Sequence, residues 1–147
     1  MKVLCVHPSP LMYAKVFLRL ELVAESLRHA GHEIRLMDMQ VESLRDVFRE
    51  LDARRPNAIC FSLNYLANVL EIVDLAKAAE TRLRDCCTFI GFIGGHSAFF
   101  VAKALLEHGE GLLDCVLRGD GEAAAPRLLE ALANGDDPTS VPGADAD

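Results

Sequence analysis

The chain is predicted to fold as an α/β protein, with a doubly wound, five-stranded parallel sheet and helices on both faces. Three observations predict this class. Five short apolar runs alternate with five longer stretches whose apolar residues recur at helical spacing. The first run, Lys2–Val6, is nearly continuous, as in a strand that is buried on both faces of a parallel sheet, whereas His32–Met37 alternates. Strands that alternate with helices are joined by right-handed crossovers, which place helices on both faces.

The five predicted strands are short apolar runs that end at polar, proline or glycine residues. Pro8 and Pro10 follow the first strand and prevent both ladder bonding and an immediate helix. The third strand is interrupted only by Ser62. In chain order the strands are Lys2–Val6, His32–Met37, Ala58–Leu63, Thr88–Ile93 and Leu113–Leu117.

The predicted helices have clear ends. Gly31 suits the left-handed C-terminal position of the first helix, and Pro56 stops the second. The tail Asn134–Asp147 is rich in Asp, Pro and Gly and lacks periodicity, so it is predicted to be a linker or disordered tail after a domain at 1–133. The helices are predicted from Val16 or Phe17 to Ala30, and at Glu42–Arg54, Ala67–Leu83, Ser97–His108 and Glu122–Leu132.

Composition and charge limit the possible classes of function. The 147 residues suit one domain that buries a core without disulfides or metal. The net charge is −7, and no basic stripe is present, so we expect no nucleic-acid partner. No apolar stretch reaches the roughly 18 residues of a membrane span, and no signal peptide pattern is present. We therefore expect a cytoplasmic protein.

The five cysteines do not form a metal or redox motif. Cys5, Cys60 and Cys115 lie in predicted strands, where free thiols act as small hydrophobic side chains. Cys86 and Cys87 fall at a loop end. No CxxC pair is present, so neither a zinc knuckle nor a thioredoxin-type site is predicted.

Four polar or glycine-rich segments follow predicted strands, at His7–Pro10, Ser62–Asn68, Gly94–Ser97 and Arg118–Glu122. In such sheets a ligand binds beyond the carboxyl ends of the strands, near the point where strand order reverses. We therefore expect these segments to converge on a ligand. The candidate ligand-binding residues are His7, Pro8, Ser62, Leu63, Asn64, Tyr65, Gly94, Gly95, His96, Ser97, Gly119, Gly121 and Glu122.

Some of these candidates also have a purely structural interpretation. The glycines can serve tight turns, and Glu122 is favoured by the dipole at a helix start. His96 could cap the fourth helix, and His7 could be an ordinary loop residue. Ser62 interrupts an otherwise apolar strand, and its buried hydroxyl needs a hydrogen-bond partner that a ligand tail would supply.

Several sites are excluded by what the segments lack. No G-x-G-x-x-G follows the first strand, so a dinucleotide site is not predicted. The same segment lacks the phosphate loop of an FMN site and the acidic pair of a phospho-acceptor receiver. The sequence has no HExxH, no CxxxCxxC motif and no convincing Ser–His–Asp pattern. We predict neither catalytic residues nor metal ligands.

Taken in order, these motifs resemble the cobalamin (vitamin B12) binding domain found at the N-terminus of many radical S-adenosylmethionine (SAM) enzymes. The likeness consists of Ser62 after the third strand, Gly94-Gly95 after the fourth, the GxGE turn at 119–122 and the run at Gly31–Asp38. It covers nearly the whole chain. The runs FSLNYLANV and GGHSA are similar to the hopanoid methylase-like subgroup.

The resemblance implies a Rossmann-like or flavodoxin-like B12-binding fold. It also implies a corrin lying across the carboxyl ends of the strands, with its nucleotide tail between sheet and helices. Gly94 and Gly95 would let the tail approach the backbone, and Ser62 would donate to its dimethylbenzimidazole nitrogen. The Ser97 helix end offers free N–H groups. The Asp-x-His-x-x-Gly loop that ligates cobalt in B12 mutases is missing between His7 and Ala30, so the resemblance implies base-off cobalamin without that histidine ligand.

The function implied by the resemblance is that of a cobalamin-binding module. It would be the N-terminal domain of a B12-dependent radical SAM methyltransferase, with the catalytic domain in cis or in trans, and would not be catalytic alone. The alternative is a ligand-free or small-molecule-binding regulatory or interaction domain of the same fold. A nucleotide-dependent enzyme ranks last, because no phosphate loop is present.

Overall fold

A computed structural model describes residues 1–8, 17–63, 68–83, 87–92, 102–104, 106–107 and 111–146. The strands are β1 (Lys2–His7), β2 (Glu33–Asp38), β3 (Ala58–Leu63), β4 (Cys87–Phe92), β5 (Cys115–Leu117) and β6 (Ala144–Asp145). The helices are α1 (Phe17–His29), α2 (Leu44–Arg54), α3 (Val69–Arg82) and α4 (Gly121–Asn134), with a 3-10 turn at Pro138–Ser140. Residues 102–104 and 106–107 are also helical, and the rest of the predicted helix Ser97–His108 lies outside the described residues.

The strands form one sheet in the order β2-β1-β3-β4-β5-β6. β1 pairs in parallel with β2 and β3, and β4 pairs in parallel with β3 and β5. β6 is antiparallel to β5. The predicted α/β fold with a parallel sheet is confirmed. The predicted number of five strands is wrong, because the C-terminal segment adds β6.

Alternate residues of β1, β3 and β5 face two separate core clusters. Val3 and Cys5 of β1 pack with α1 and α4, whereas Leu4 and Val6 pack with α2 and α3. We call these two sides of the sheet the α1/α4 face and the α2/α3 face. Cys5, Cys60 and Cys115 are buried in the cluster on the α1/α4 face, which confirms their prediction as core residues.

The order of the strands reverses beside β1. The chain leaves β1 to form β2 on one side and then returns to form β3 on the other side of β1. In an open α/β sheet, this reversal opens a crevice at the carboxyl ends of the two central strands. The ends of β1 and β3, at His7 and Leu63, border that crevice.

The ends of α2 show why the predicted bounds are close to the observed ones. Ser43 Oγ accepts from the Asp46 N–H at 3.2 Å, and the Asp46 carboxylate accepts from the Ser43 N–H at 2.7 Å, which forms a capping box. α2 therefore starts at Leu44 rather than at the predicted Glu42. It ends before Arg55, which has a left-handed φ of 48° and precedes Pro56.

The tail predicted to be a linker or disordered segment is instead ordered over residues 134–146. Val141 and Ala144 are buried against the α1/α4 cluster. The Arg118 N–H donates to the Gly143 carbonyl at 2.6 Å, and Arg118 forms an ion pair with Asp145, with Nη2 and Oδ1 2.8 Å apart. These contacts cover the edge of β5, which would otherwise present unpaired backbone groups.

No helix among the described residues is both long enough and apolar enough to cross a bilayer.

Candidate functional site

Five residues at or next to the carboxyl ends of β2, β1, β3, β4 and β5 form a row across the α1/α4 face. His7 pairs with Asp38, Ser62 pairs with Gly91, and Gly91 pairs with Leu117. His7 and Ser62 lie one residue beyond the pair Val6 and Phe61, so they are neighbours across β1 and β3. We call Asp38, His7, Ser62, Gly91 and Leu117 the terminal row. It crosses the point where strand order reverses.

Ser62 is the most enclosed polar residue of this row. Its exposed fraction is 0%, and the strand alternation places it on the same face as Ala58 and Cys60. A buried hydroxyl is costly unless it is hydrogen bonded. On the neighbouring strand, Ser62 pairs with Gly91, which has no side chain, so bare backbone lies beside Ser62 on this face.

Gly91 was not among the sequence candidates, although its signal is visible. It interrupts the apolar run of β4, and a glycine inside a strand often marks a close approach of a ligand or another backbone. The pair Gly94-Gly95 begins three residues downstream and is the more prominent glycine signal, so the glycine site was predicted there.

His7 is buried at the end of β1, with 3% of its surface exposed. Burial lowers the pKa of its imidazole, and the nearby Asp38 carboxylate opposes this shift only in part. The side chain is therefore neutral at pH 7, with one ring N–H donor and one ring acceptor. Its carbonyl accepts from the Met39 N–H at 3.0 Å, and Pro8 beside it is buried.

The β2–α2 turn begins at Asp38, the residue that pairs with His7, and hydrogen bonds fix the conformation of this turn. Asp38 Oδ1 accepts from the Gln40 N–H at 2.9 Å, and Glu42 Oε2 accepts from the Asp38 N–H at 3.0 Å. Arg35 binds the Glu42 carboxylate. Asp38, His7 and Ser62 are consecutive members of the terminal row. The Ser62 side chain, however, is fully buried. The terminal row therefore presents no exposed serine nucleophile to a substrate.

The β5–α4 turn contains three further candidates. Gly119 is exposed with a φ of +86°, which favours glycine in this turn. Gly121 is buried against α1, because a Cβ there would lie 3.1 Å from Val23 Cγ2. Ser26 Oγ donates to the Glu122 carbonyl at 2.7 Å, while the Glu122 residue itself is exposed in the first turn of α4. Gly119 thus permits the conformation of the turn, and Gly121 permits close packing of α4 against α1.

The structure brings together only part of the predicted site. His7 and Ser62 share the terminal row, with Pro8 next to them. Leu63 belongs to the cluster on the α2/α3 face, so its side chain does not share a face with Ser62. This separation follows from the alternation of side chains along a strand. Asn64, Tyr65, Gly94, Gly95, His96 and Ser97 lie outside the described residues.

One buried polar residue at this edge was not selected from the sequence. Asn68 occupies the position before α3 with 5% of its surface exposed, and its Nδ2 donates to Glu71 Oε2 at 3.1 Å. Its signal was an Asn directly before a helical pattern, which is typical of a helix start. Asn68 therefore places a buried amide at the carboxyl edge of the sheet, at the start of α3.

Comparison with known sequences identifies relatives of the chain. The family described as B12 binding domain matches residues 17–129. The hopanoid C-3 methylase of Methylococcus capsulatus is 69% identical over 148 residues, an alignment that covers 97% of this chain. The chain spans 28% of the length of that relative.

Comparison with solved structures shows the fold alone. The radical S-adenosylmethionine methyltransferase TsrM from Kitasatospora setae, solved with cobalamin and a 4Fe-4S cluster bound, superposes with a TM-score of 0.74 at 21% identity. That match covers 99% of this chain and 27% of TsrM. A flavodoxin from Streptococcus pneumoniae TIGR4 matches with a TM-score of 0.54 at 12% identity, over 92% of this chain and 99% of the flavodoxin.

Proposed function

This chain belongs to the B12-binding domain family, and we propose that it holds base-off cobalamin for a radical SAM methyltransferase domain, in cis or in trans. The observation that carries the proposal is the buried hydroxyl of Ser62 beside Gly91, at the reversal of strand order. A hydroxyl in this position can bind the nucleotide tail of the cofactor, and the glycine leaves space for it.

The described residues fit the chemistry of this tail. Its aromatic base is flat and has a ring nitrogen that accepts a hydrogen bond, and Ser62 provides an O–H donor. The surrounding side chains of the α1/α4 face, such as Cys60 and Leu117, are apolar and suit the faces of an aromatic ring. We place the base against Ser62 and Gly91, on the α1/α4 side of the sheet.

The remaining candidates would contact the cofactor at the carboxyl edge. We assign the corrin to the segments after β1, β3 and β4, with Gly119, Gly121 and Glu122 flanking it through the turn after β5. Leu63 would contribute backbone rather than side-chain contacts. The segments involved are His7-Pro8, Asn64-Tyr65 and Gly94-Gly95-His96-Ser97.

No Asp-x-His-x-x-Gly motif stands between His7 and Ala30, so we propose no histidine ligand to cobalt, and a tail held at Ser62 would give the base-off form. When bound, cobalamin supplies a cobalt centre that carries methyl groups. The chain itself would bind and orient the cofactor and keep its base away from cobalt. The likeness to a hopanoid C-3 methylase supports a hopanoid as the substrate of the catalytic domain. The module would extend through β6, to about residue 146.

The proposal is tested by mixing the purified chain with hydroxocobalamin, removing free cofactor on a desalting column and recording the visible spectrum. We expect a coloured protein fraction with near-stoichiometric cobalt and a base-off spectrum. A colourless fraction from folded protein would contradict the proposal and favour a regulatory domain of the same fold.

The placement of the tail is tested with Ser62→Ala. We expect about tenfold weaker binding of cobalamin, because a hydrogen bond to a buried acceptor is lost. Cobinamide, which lacks the nucleotide tail, should bind equally to both proteins. Ser140→Ala, at an exposed serine of the 3-10 turn, is the matched control. Equal binding of cobalamin to Ser62→Ala and wild type would show that the tail lies elsewhere.

A further inference from the structure

His7 lies beside Ser62 in the terminal row, and the role of this neighbour is not part of the function proposed above. We propose that His7 is a positioning residue: its ring N–H donates to the Ser62 oxygen and directs the hydroxyl proton at the base of the cobalamin tail. This role rests on the proposed function, because the tail is the acceptor of that proton.

The geometry of the sheet places the two side chains within reach. β1 and β3 are parallel, and His7 and Ser62 follow directly after the pair Val6 and Phe61. Neighbouring strands lie about 4.8 Å apart, and side chains at equivalent positions on one face contact each other. The alternation that places Cys5 and Cys60 in the α1/α4 cluster places both polar residues on that face.

The chemistry of a hydroxyl explains why such a neighbour matters. A serine hydroxyl has one proton, which rotates to suit whichever acceptor is available, and two acceptor lone pairs. A donor on one lone pair makes the oxygen a better donor toward a second partner, since linked hydrogen bonds polarise one another. A neutral imidazole can provide that donor, whereas an apolar ring of similar size cannot.

The burial of His7 supports the same assignment. With 3% of its surface exposed and its pKa lowered by burial, the ring is neutral at pH 7. A neutral ring next to the tail avoids placing a buried charge in the apolar α1/α4 cluster, which would be costly. The carboxylate of Asp38, on the adjacent strand, acts on the ring and raises its pKa, but less than burial lowers it.

The test is a double-mutant cycle of His7→Phe and Ser62→Ala, with affinities for cobalamin and cobinamide measured by isothermal titration calorimetry. We expect His7→Phe to weaken cobalamin binding about tenfold and cobinamide binding less than twofold, because only cobalamin has the tail. In the Ser62→Ala background, His7→Phe should change cobalamin affinity less than twofold, since its effect passes through the hydroxyl.

Rescue by a conservative variant separates positioning from packing. His7→Asn keeps an N–H donor on a short side chain and should restore most of the cobalamin affinity. His29→Phe, at an exposed position of α1, is the matched control and should leave both affinities unchanged. Should His7→Phe not fold by circular dichroism, His7→Leu takes its place in the cycle.

Three results would overturn the role of His7. Equal losses for cobalamin and cobinamide would indicate a contact with the corrin or a general packing effect. Additive losses in the double variant would show that His7 acts independently of Ser62. An unchanged cobalamin affinity in His7→Phe would show that the ring does not act on the tail. Failure of wild type to bind either corrinoid would instead refute the proposed function itself.

Discussion

At the scale of single residues, the buried polar groups of the terminal row occupy positions that an apolar strand would fill with hydrophobic side chains. His7 and Ser62 each follow a cysteine by two residues on the same strand face. A polar side chain at the end of a buried strand lowers the free energy of unfolding unless it forms a hydrogen bond. Such a local departure from the core pattern is expected where a protein binds a ligand.

The burial of His7 predicts that acid destabilises the fold. Its folded-state pKa lies below the unfolded value of 6.5, so the unfolded chain takes up the proton first. The free energy of unfolding should therefore fall as pH drops below about 6.5 and through the folded-state pKa. His32 acts in the same direction, because burial and the Met1 ammonium group lower its pKa.

This dependence can be measured by urea unfolding between pH 5 and pH 7.5. We expect His7→Asn to reduce the slope of stability against pH and to leave the contribution of His32. An unchanged slope in His7→Asn would show that the imidazole does not carry the effect.

Gly143 is predicted to be indispensable where the tail meets β5. Its φ is +88°, and a Cβ there would lie 2.6 Å from the Arg118 carbonyl oxygen. Gly143→Ala should lower the free energy of unfolding by about 2 kcal/mol or more, through strain and loss of the close backbone approach. Gly135→Ala is the matched control, with a φ of +74° but open space around its Cβ, and should cost about 1 kcal/mol. Equal losses in urea unfolding would contradict this explanation.

At the scale of elements, the capping box of α2 is the best-defined local signal. Ser43→Ala removes the acceptor for the Asp46 N–H and should destabilise the protein by about 1 kcal/mol. Thermal unfolding followed by circular dichroism measures this loss, with Ser140→Ala as the exposed control. A loss in Ser43→Ala no larger than in the control would mean that tertiary packing alone holds the start of α2.

The sixth strand illustrates a different source of order. β6 contains only two residues, yet it pairs with β5. An ion pair between Arg118, which follows β5, and Asp145 of β6 joins the two strands. Neither the short length nor the polar composition of this segment would make it a strand in isolation. Its order depends on an edge of the sheet that needs a partner.

At the scale of the whole molecule, cofactor binding is predicted to stabilise the folded chain. A ligand that binds only the native state adds RT ln(1 + [L]/Kd), or about 2.7 kcal/mol at 100 times Kd. For a chain of this length, that gain raises the melting temperature by roughly 5 to 10 °C. Differential scanning fluorimetry with increasing hydroxocobalamin measures the shift, and Ser62→Ala should show a smaller shift at equal concentration. A melting temperature that does not move with cofactor would argue against binding to the native state.

Most of the fold could be predicted because its signals are local. The bounds of Ala58–Leu63 were predicted without error, and β1, β2, β4, β5 and α1 to α4 begin and end within two residues of the predicted bounds, whereas β6 and the 3-10 turn were not predicted. Apolar runs, helical spacing and stop residues such as Pro56 act over only a few positions. The order of the site segments along the chain was likewise enough to indicate the B12-binding family.

The composition of the site was less predictable, because it depends on register and on which face each side chain takes. Ser62 and Leu63 were grouped as one segment, but they face opposite sides of the sheet. Gly91 belongs to the site only because β4 pairs with β3 in a particular register. Asn68 was passed over because its burial depends on packing around the start of α3.

The amino-acid pattern alone was sufficient for the alternation of strands and helices, the buried cysteines and the family of the chain, since each is encoded by residues close together in sequence. Only the tertiary structure shows that His7 lies beside Ser62 and that the Leu63 side chain lies on the opposite face. It also shows that the tail pairs with β5 as β6. These features arise from contacts between strands that are distant in sequence, such as β1 with β3 and β5 with β6. Sheet register is a cooperative property of the whole core, so local patterns do not determine it.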